Sequence, residues 1–335
     1  MGVSESGPGA APTAAPVPEP PVVAATWQER DPGEPWCPPA LVAHLPWADD
    51  VATAHARTWG GEGGAAWTML AGTRRGRSHA HQAQWREDAA TLSQLIGPDG
   101  HPLYLLVAAD GAGSARWSRV GSEAACRAVL AFCRAHEAIA DNPGPMLVAA
   151  ASAAVDELLH LARAGGGEGR DLRTTLLVAA LWGPAGAERL ACTQVGDGAV
   201  LVRTADGAVT QLGTGDSGEF SGEVTCFVPD DGARERAAAA LVEREARDVT
   251  HLVLLTDGIE DPFYPIARRG PVLMAQLMDG VREPAEHFQK QAVHGPVFGS
   301  AQRHEHLAQW LAFERRGEND DRTIVAAVRA PHAGG

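Results

Sequence analysis

Apolar runs that end on acidic residues constrain this chain more than any other feature. Leu105-Leu106-Val107-Ala108-Ala109 runs into Asp110, Leu252-Val253-Leu254-Leu255-Thr256 runs into Asp257, and each aspartate is followed by glycine. Val195 leads into Gly196-Asp197-Gly198; Asp320 and Asp321 stand just before an apolar stretch, and Glu87 and Asp88 before another. An apolar run of this length, closed by glycine or aspartate, has the punctuation of a buried strand. A single Asp-Gly is ordinarily a turn. Five acidic strand ends are harder to dismiss, because their carboxylates would repel one another wherever the ends converge, unless a cation compensates. An all-oxygen cage selects hard divalent ions such as Mg2+ or Mn2+.

The pattern along the chain predicts strands at 67–71 and 103–109, then amphipathic helices at 118–139 and 146–164. Four short strands follow at 174–182, 189–195, 199–203 and 209–212, the last two joined through Asp206-Gly207. A strand at 251–256, helices within 272–281 and 302–315, and a final strand at 323–329 complete the series. There is no internal repeat. Strands interleaved with helix pairs predict an α+β layered fold with mostly antiparallel sheets. No glycine loop of the phosphate-cradling kind joins a strand to a helix, which argues against a doubly wound nucleotide-binding fold.

Eleven of the 23 prolines fall in the first 50 residues. Residues 1–25, rich in Pro and Ala, are expected to be disordered, since such a composition buries too little apolar surface to offset chain entropy. In 26–60, Trp27, Trp36, Trp47 and Trp59 recur among prolines and acids, as in a strap packed on the domain surface or a docking segment for a partner. The main domain is expected at 61–331. The formal charge of −14 argues against a non-specific nucleic-acid binder, which needs clustered positive charge. Five widely spaced cysteines without a C-x-x-C pair suggest neither a disulfide framework nor a thiolate zinc site. No basic segment followed by an apolar one opens the chain, and no window approaches ~18 uninterrupted apolar residues, so no membrane span and a cytoplasmic location are expected.

Five motifs, in order, carry a resemblance. They are Arg86-Glu87-Asp88-Ala89, Ala109-Asp110-Gly111-Ala112-Gly113-Ser114, Val195-Gly196-Asp197-Gly198, Thr256-Asp257-Gly258-Ile259-Glu260-Asp261 and Asn319-Asp320-Asp321-Arg322-Thr323. This series resembles the motif set of the metal-dependent type 2C protein Ser/Thr phosphatases over roughly residues 66–330. Gly-Ala-Gly-Ser after the first aspartate, and Gly76-Arg77-Ser78-His79 ahead of the Glu-Asp pair, are similar to the bacterial branch.

The resemblance implies a four-layer α-β-β-α sandwich of two antiparallel sheets flanked by helices, with two Mn2+ or Mg2+ ions at one edge and a weaker third. It implies that Asp110 bridges the two ions, that the Gly111 carbonyl and Glu87 also bind, and that Asp257 and Asp320 hold the first ion. Asp88 matches the position that hydrogen-bonds water at the metals, and Asp197 and Asp261, with Asp257, match ligands of the third ion. The implied activity is hydrolysis of phosphoserine or phosphothreonine on proteins, by in-line attack of a water bridging the two ions. A partner Ser/Thr kinase in a bacterial signalling pathway is part of that expectation.

One departure concerns the arginine that many members place four residues before the Glu to contact the substrate phosphate. Ala83 stands there. His79, Arg75, Arg77 or Arg86 could supply the contact, and His79 fits the bacterial variant best. The variable flap corresponds to 214–247 and carries no readable substrate signature.

Three rivals are weaker. Gly215-Asp216-Ser217-Gly218 and Thr53-Ala54-His55 imitate serine-protease motifs, but Glu219 replaces the usual second glycine and the carboxylate motifs would go unexplained. His304 and His306, with His294 or Glu305, suggest zinc, yet two histidines at i and i+2 on a helix point to different faces. A pseudophosphatase serving as a binding or scaffold module would be expected to lack core ligands, whereas Glu87, Asp110, Asp257 and Asp320 are all present.

Overall fold

The strand running into Asp110 is buried on both sides. Leu103, Leu105, Val107 and Ala109 face one core while Tyr104, Leu106 and Ala108 face another, as a pleat of period two requires. A strand with two apolar faces must lie in an inner layer. The computed structural model describes residues 28–33, 37–44, 57–63, 67–97, 99–136, 142–213, 215 and 226–330, with backbone alone for 42–44 and 57–63. The expected disordered tail, Trp27, Trp36, Trp47, the Trp59 side chain, Thr53-Ala54-His55, Asp216-Ser217-Gly218 and residues 214 and 216–225 of the flap lie outside the described residues.

The strands are β1 (Arg57–Gly63), β2 (Trp67–Arg74), β3 (Ala89–Ile96), β4 (Pro102–Ala109), β5 (Leu176–Trp182), β6 (Arg189–Val195), β7 (Ala199–Thr204), β8 (Val209–Leu212), β9 (Val242–Glu245), β10 (Val249–Leu255) and β11 (Arg322–Arg329). The α-helices are α1 (Arg77–His81), α2 (Ser118–His136), α3 (Pro143–Ala164), α4 (Ala233–Ala239), α5 (Asp257–Glu260), α6 (Ile266–Asp279) and α7 (Arg303–Trp310). They build a six-stranded sheet, β1-β2-β11-β10-β7-β8, and a five-stranded sheet, β3-β4-β5-β6-β9, each antiparallel throughout.

Three apolar cores define four layers. One lies between α2, α3 and the five-stranded sheet, with Val129, Leu147 and Leu158 against Leu105 and Val107. The second, between the sheets, sets Leu106, Leu177 and Leu181 against Leu252, Leu254 and Val325. The third lies under α6 and α7, where Leu273, Leu277 and Trp310 cover Leu201, Val253 and Ile324. Full burial of one such side chain contributes about 1.5–3 kcal/mol, so this period-two patterning fixes which face each strand presents. The α+β four-layer sandwich is the architecture. α3 is apolar enough over its length to resemble a membrane span, and its packing beside α2 on the five-stranded sheet accounts for that composition.

Several elements differ from the sequence expectation. α6 starts at Ile266, ahead of the expected 272, because Pro265 opens it and Pro271 lies within it, a combination that hides the period. α7 ends at Trp310, where the chain turns to bury Phe313 instead of continuing to 315. β1, β3, β9 and α4 were not expected as elements, and the expected boundary at 60/61 falls inside β1. Ahead of β1, the Arg30 amide donates to the Ala80 carbonyl at 2.9 Å, and Leu41, in a 3-10 turn at Pro39–His44, is fully buried in the α2–α3 core.

Candidate metal centre

Strand register brings the acids together. Ala89 pairs with Ala109, so Glu87 and Asp88 at the entrance of β3 stand beside Asp110 at the exit of β4. On the other sheet Leu255 pairs with Ile324, which sets Asp257, the first residue of α5, beside Asp320 and Asp321 at the entrance of β11. Asp197 lies in the turn by which the chain leaves β6 in one sheet for β7 in the other. All five acidic strand ends therefore lie at one edge of the sandwich.

A cavity of about 230 Å³ at that edge is lined by His79, Glu87, Asp110, Gly111, Asp197, Asp257 and Asp320, with Phe227 and Thr175 among its other walls. Asp88 lies behind it, 2% exposed, accepting a hydrogen bond from the Thr256 hydroxyl at 3.0 Å. Asp261 does not line the cavity; it starts the 3-10 turn after α5, one turn beyond Asp257.

Local bonds hold the chain ends in place. The Asp110 amide donates to Thr175 Oγ1 at 3.0 Å, and the Asp110 carbonyl accepts from Thr174 Oγ1 at 2.8 Å. The Gly111 amide donates to the Glu87 carbonyl at 3.2 Å, tying the two loops directly. Thr256 is a hinge pin: its hydroxyl also accepts from the Thr323 amide at 2.9 Å, coupling Asp88 to the start of β11.

The electrostatics are those of charges held together against repulsion. Burial, then the charges of Asp88, Asp257 and Asp320, raise Asp110 far above the ordinary carboxylate range. Burial, Asp197 and Asp320 do the same to Asp257, and burial pushes Glu87 and Asp88 up to about 7. Asp320 reaches solvent, yet the surrounding protein and the Asp321 charge raise it as well. Glu87 Oε2, Asp88 Oδ1 and Asp257 Oδ1 are buried oxygens without a hydrogen-bond partner. Orphaned, mutually repelling oxygens are costly unless a cation binds them. The donor set is carboxylate oxygen plus the Gly111 carbonyl, which suits hard divalent ions. Glu87, Asp110, Asp257 and Asp320 could hold such an ion, with Asp197 on the far wall.

The four candidates for the phosphate contact separate. Arg75 is buried and bonded to the carbonyls of Gln84 and Arg30, both at 3.2 Å. Arg86 is buried near Glu123, and Arg77 pairs with Glu314 at 2.8 Å. Only His79 among them lines the cavity. Its Nδ1 lies 3.0 Å from Asp321 Oδ1. Burial works to lower the His79 pKa, but Asp321, Glu87 and Asp320 outweigh it and raise it to about 10.

Asp321 had no role assigned from sequence, although its place in the Asp-Asp pair was visible. It is 1% exposed and accepts the amides of Gly76 at 2.5 Å and Glu87 at 2.6 Å. Burial works to raise its pKa, but His79 and those two amides hold it below the ordinary value. Glu260 was also passed over; burial and the charges of Asp197 and Asp261 push it up to about 7. The histidines proposed for zinc sit elsewhere, on and beside α7, where His306 Nδ1 lies 2.7 Å from the Pro296 carbonyl oxygen and His294 Nδ1 2.7 Å from that of Gly295.

Solved structures resemble the fold at low identity. The catalytic domain of the serine threonine protein phosphatase PstP in complex with two manganese ions is 20% identical, with a TM-score of 0.48 over 79% of this chain and 99% of its own. Serine/threonine phosphatase Stp1 from Staphylococcus aureus is 15% identical, with a TM-score of 0.48 over 82% of this chain and 95% of its own. RsbX in complex with magnesium is 12% identical, with a TM-score of 0.44 over 82% of this chain and 100% of its own. No curated protein matches the chain. Residues 75–312, which span every proposed ligand except Asp320, match the family described as protein phosphatase 2C. With that match over more than half its length, the chain belongs to the protein phosphatase 2C family.

Proposed function

We propose that this protein hydrolyses phosphoserine and phosphothreonine on protein substrates with the help of two divalent cations, Mn2+ or Mg2+, opposing a bacterial Ser/Thr kinase. The observation that carries the reading is the convergence of Glu87, Asp110, Asp257 and Asp320 from four strand ends on one cavity, with buried oxygens left unpartnered. Asp110 and Gly111, Glu87, Asp257 and Asp320 would hold the ions, and Asp197 and Asp261 a weaker third. When bound, such ions neutralise phosphoryl charge and lower the pKa of water, which makes an otherwise very slow hydrolysis accessible.

The remaining work falls to this chain's side chains. Asp88 is fixed through Oδ2 by Thr256, which leaves Oδ1 to orient the attacking water and receive its proton. The small residues Gly111, Ala112, Gly113 and Ser114 leave one wall open to a phosphoryl group. Phe227, at the cavity wall beside Arg173, offers an apolar surface to the residue bearing the phosphate. No cysteine or serine nucleophile is required.

The test is hydrolysis of an aryl phosphate and of phosphoserine peptides by the full chain, with Mn2+, Mg2+ or chelator. Asp110→Asn should abolish turnover without unfolding the protein. Turnover that survives both the chelator and this substitution would overturn the metal-assisted reading. Metal binding without turnover would favour the scaffold alternative. Phosphoproteomics comparing a deletion strain with one expressing Asp257→Asn would name the substrates and, through them, the kinase.

A further inference from the structure

The pair His79–Asp321 is built in a way that a phosphate contact does not need. Both Asp321 oxygens are committed to protein: Oδ1 accepts the Gly76 amide at 2.5 Å and faces His79 Nδ1 at 3.0 Å, while Oδ2 accepts the Glu87 amide at 2.6 Å. The carboxylate is thus a fixed anion joining the start of β11, the entrance of α1 and the entrance of β3. Because Nδ1 turns to Asp321, Nε2 turns the other way, toward Glu87 Oε2 at 3.9 Å. That gap is too long for a direct hydrogen bond. Glu87 Oε2 is one of the orphaned buried oxygens.

Two donors bound at about 2.1 Å to one ion lie about 3.0 Å apart when adjacent and about 4.2 Å apart when opposite. The 3.9 Å separation of His79 Nε2 and Glu87 Oε2 falls inside that interval. Ligand atoms of His79, Asp320 and Asp321 all lie within 4.8 Å of one another. Asp321 has no oxygen to spare, so it suits the outer position, and histidines that bind metals ordinarily donate their other ring N–H to such a carboxylate. The imidazole side chain is 13% exposed, which hides most of the ring from a substrate arriving from solvent.

We infer that His79 is a nitrogen ligand of the metal centre through Nε2, and that Asp321 is the positioning residue that aims it. The inference rests on the metal reading given above and refines it. An imidazole added to an oxygen set moves its preference from Mg2+ toward Mn2+ and later transition ions. In this chain the position that sequence reasoning gave to the phosphate therefore belongs to the ion.

Pulsed electron paramagnetic resonance of the full chain loaded with Mn2+ tests this directly. The wild-type protein should show the nitrogen hyperfine coupling of a directly bound imidazole. In His79→Gln the coupling should vanish while Mn2+ still binds, about tenfold more weakly or worse, with Mg2+ affinity changed less. Asp321→Asn should weaken Mn2+ by about tenfold or more, the usual effect of removing an outer partner. Bound Mn2+ without nitrogen coupling in the wild type, or coupling that persists in His79→Gln, would overturn the inference and leave the carboxylate site standing. If Mn2+ does not bind at all, the metal reading falls and the inference with it. The wild-type spectrum decides the question even if a variant fails to fold.

Discussion

Asp88 shows how a single carboxylate reports on the state of the site. Burial, and then the charge of Asp321, raise its pKa to about 7 from an ordinary value near 3.8. The folded chain therefore holds this proton at pH values where the unfolded chain has released it. Stability is favoured below about pH 4 and is lost as pH rises toward 7, the reverse of a salt-bridged aspartate. Glu87, pushed to about 7 mainly by burial, acts in the same direction. Urea unfolding of the chelated protein between pH 4 and 8 should show this decline, and Asp88→Asn should lessen it by a few kcal/mol. Mn2+ should remove it, because a bound cation stabilises the ionised form. An Asp88→Asn profile parallel to that of the wild type would show that Asp88 ionises without cost in the fold. At this scale the sequence was legible in part. Asp320 and Asp321 are adjacent and look equivalent, yet one faces the cavity and the other is sealed under two backbone amides. Which of two neighbouring aspartates turns inward depends on donors supplied from Gly76 and Glu87, more than 200 residues away.

Elements converge on the site only because their ends approach closely. A Cβ at Gly258 would lie 1.8 Å from the Asp321 carbonyl oxygen, so the start of α5 reaches the entrance of β11 only where residue 258 has no side chain. Gly258→Ala must push apart the loops that carry Asp257 and Asp320. The contact is with backbone, which cannot rotate away, so loss of turnover and a destabilisation of at least about 2 kcal/mol are expected. Steady-state kinetics and denaturant unfolding check both; normal values for the variant would mean that the two loops approach less closely. The long apolar strands and the helices at Ser118–His136 and Pro143–Ala164 were legible because burial imposes a period on their residues. β9, Val-Glu-Arg-Glu at a sheet edge, was not, since its burial alternates only between half-buried and exposed. β1, with three glycines in seven residues, carries no pattern to read and acquires its conformation by pairing with β2.

The whole chain carries a formal charge of −14, and the first 50 residues hold seven acids against Arg30. Outside them the seven acids named from the motifs nearly equal the net negative charge. The edge of the sandwich is thus a concentrated anionic site within a domain that is otherwise close to balanced. Concentrated repulsion lowers the stability of the metal-free fold, and an ion that binds the folded chain but not the unfolded one restores it. At a concentration 100-fold above its dissociation constant, such an ion stabilises by about 2.7 kcal/mol. For a chain of this size that corresponds to a rise in Tm of about 4–5 °C. Thermal unfolding of the full chain should therefore shift upward with Mn2+ in a concentration-dependent way and return with chelator. Asp110→Asn removes one of the two carboxyl groups that burial, and then their acidic neighbours, make most costly to ionise. Its metal-free form should melt above the metal-free wild type, while its response to Mn2+ should be largely lost. A wild type indifferent to Mn2+, or an Asp110→Asn variant that melts lower and still gains the full shift, would mean that these carboxylates tolerate one another without an ion.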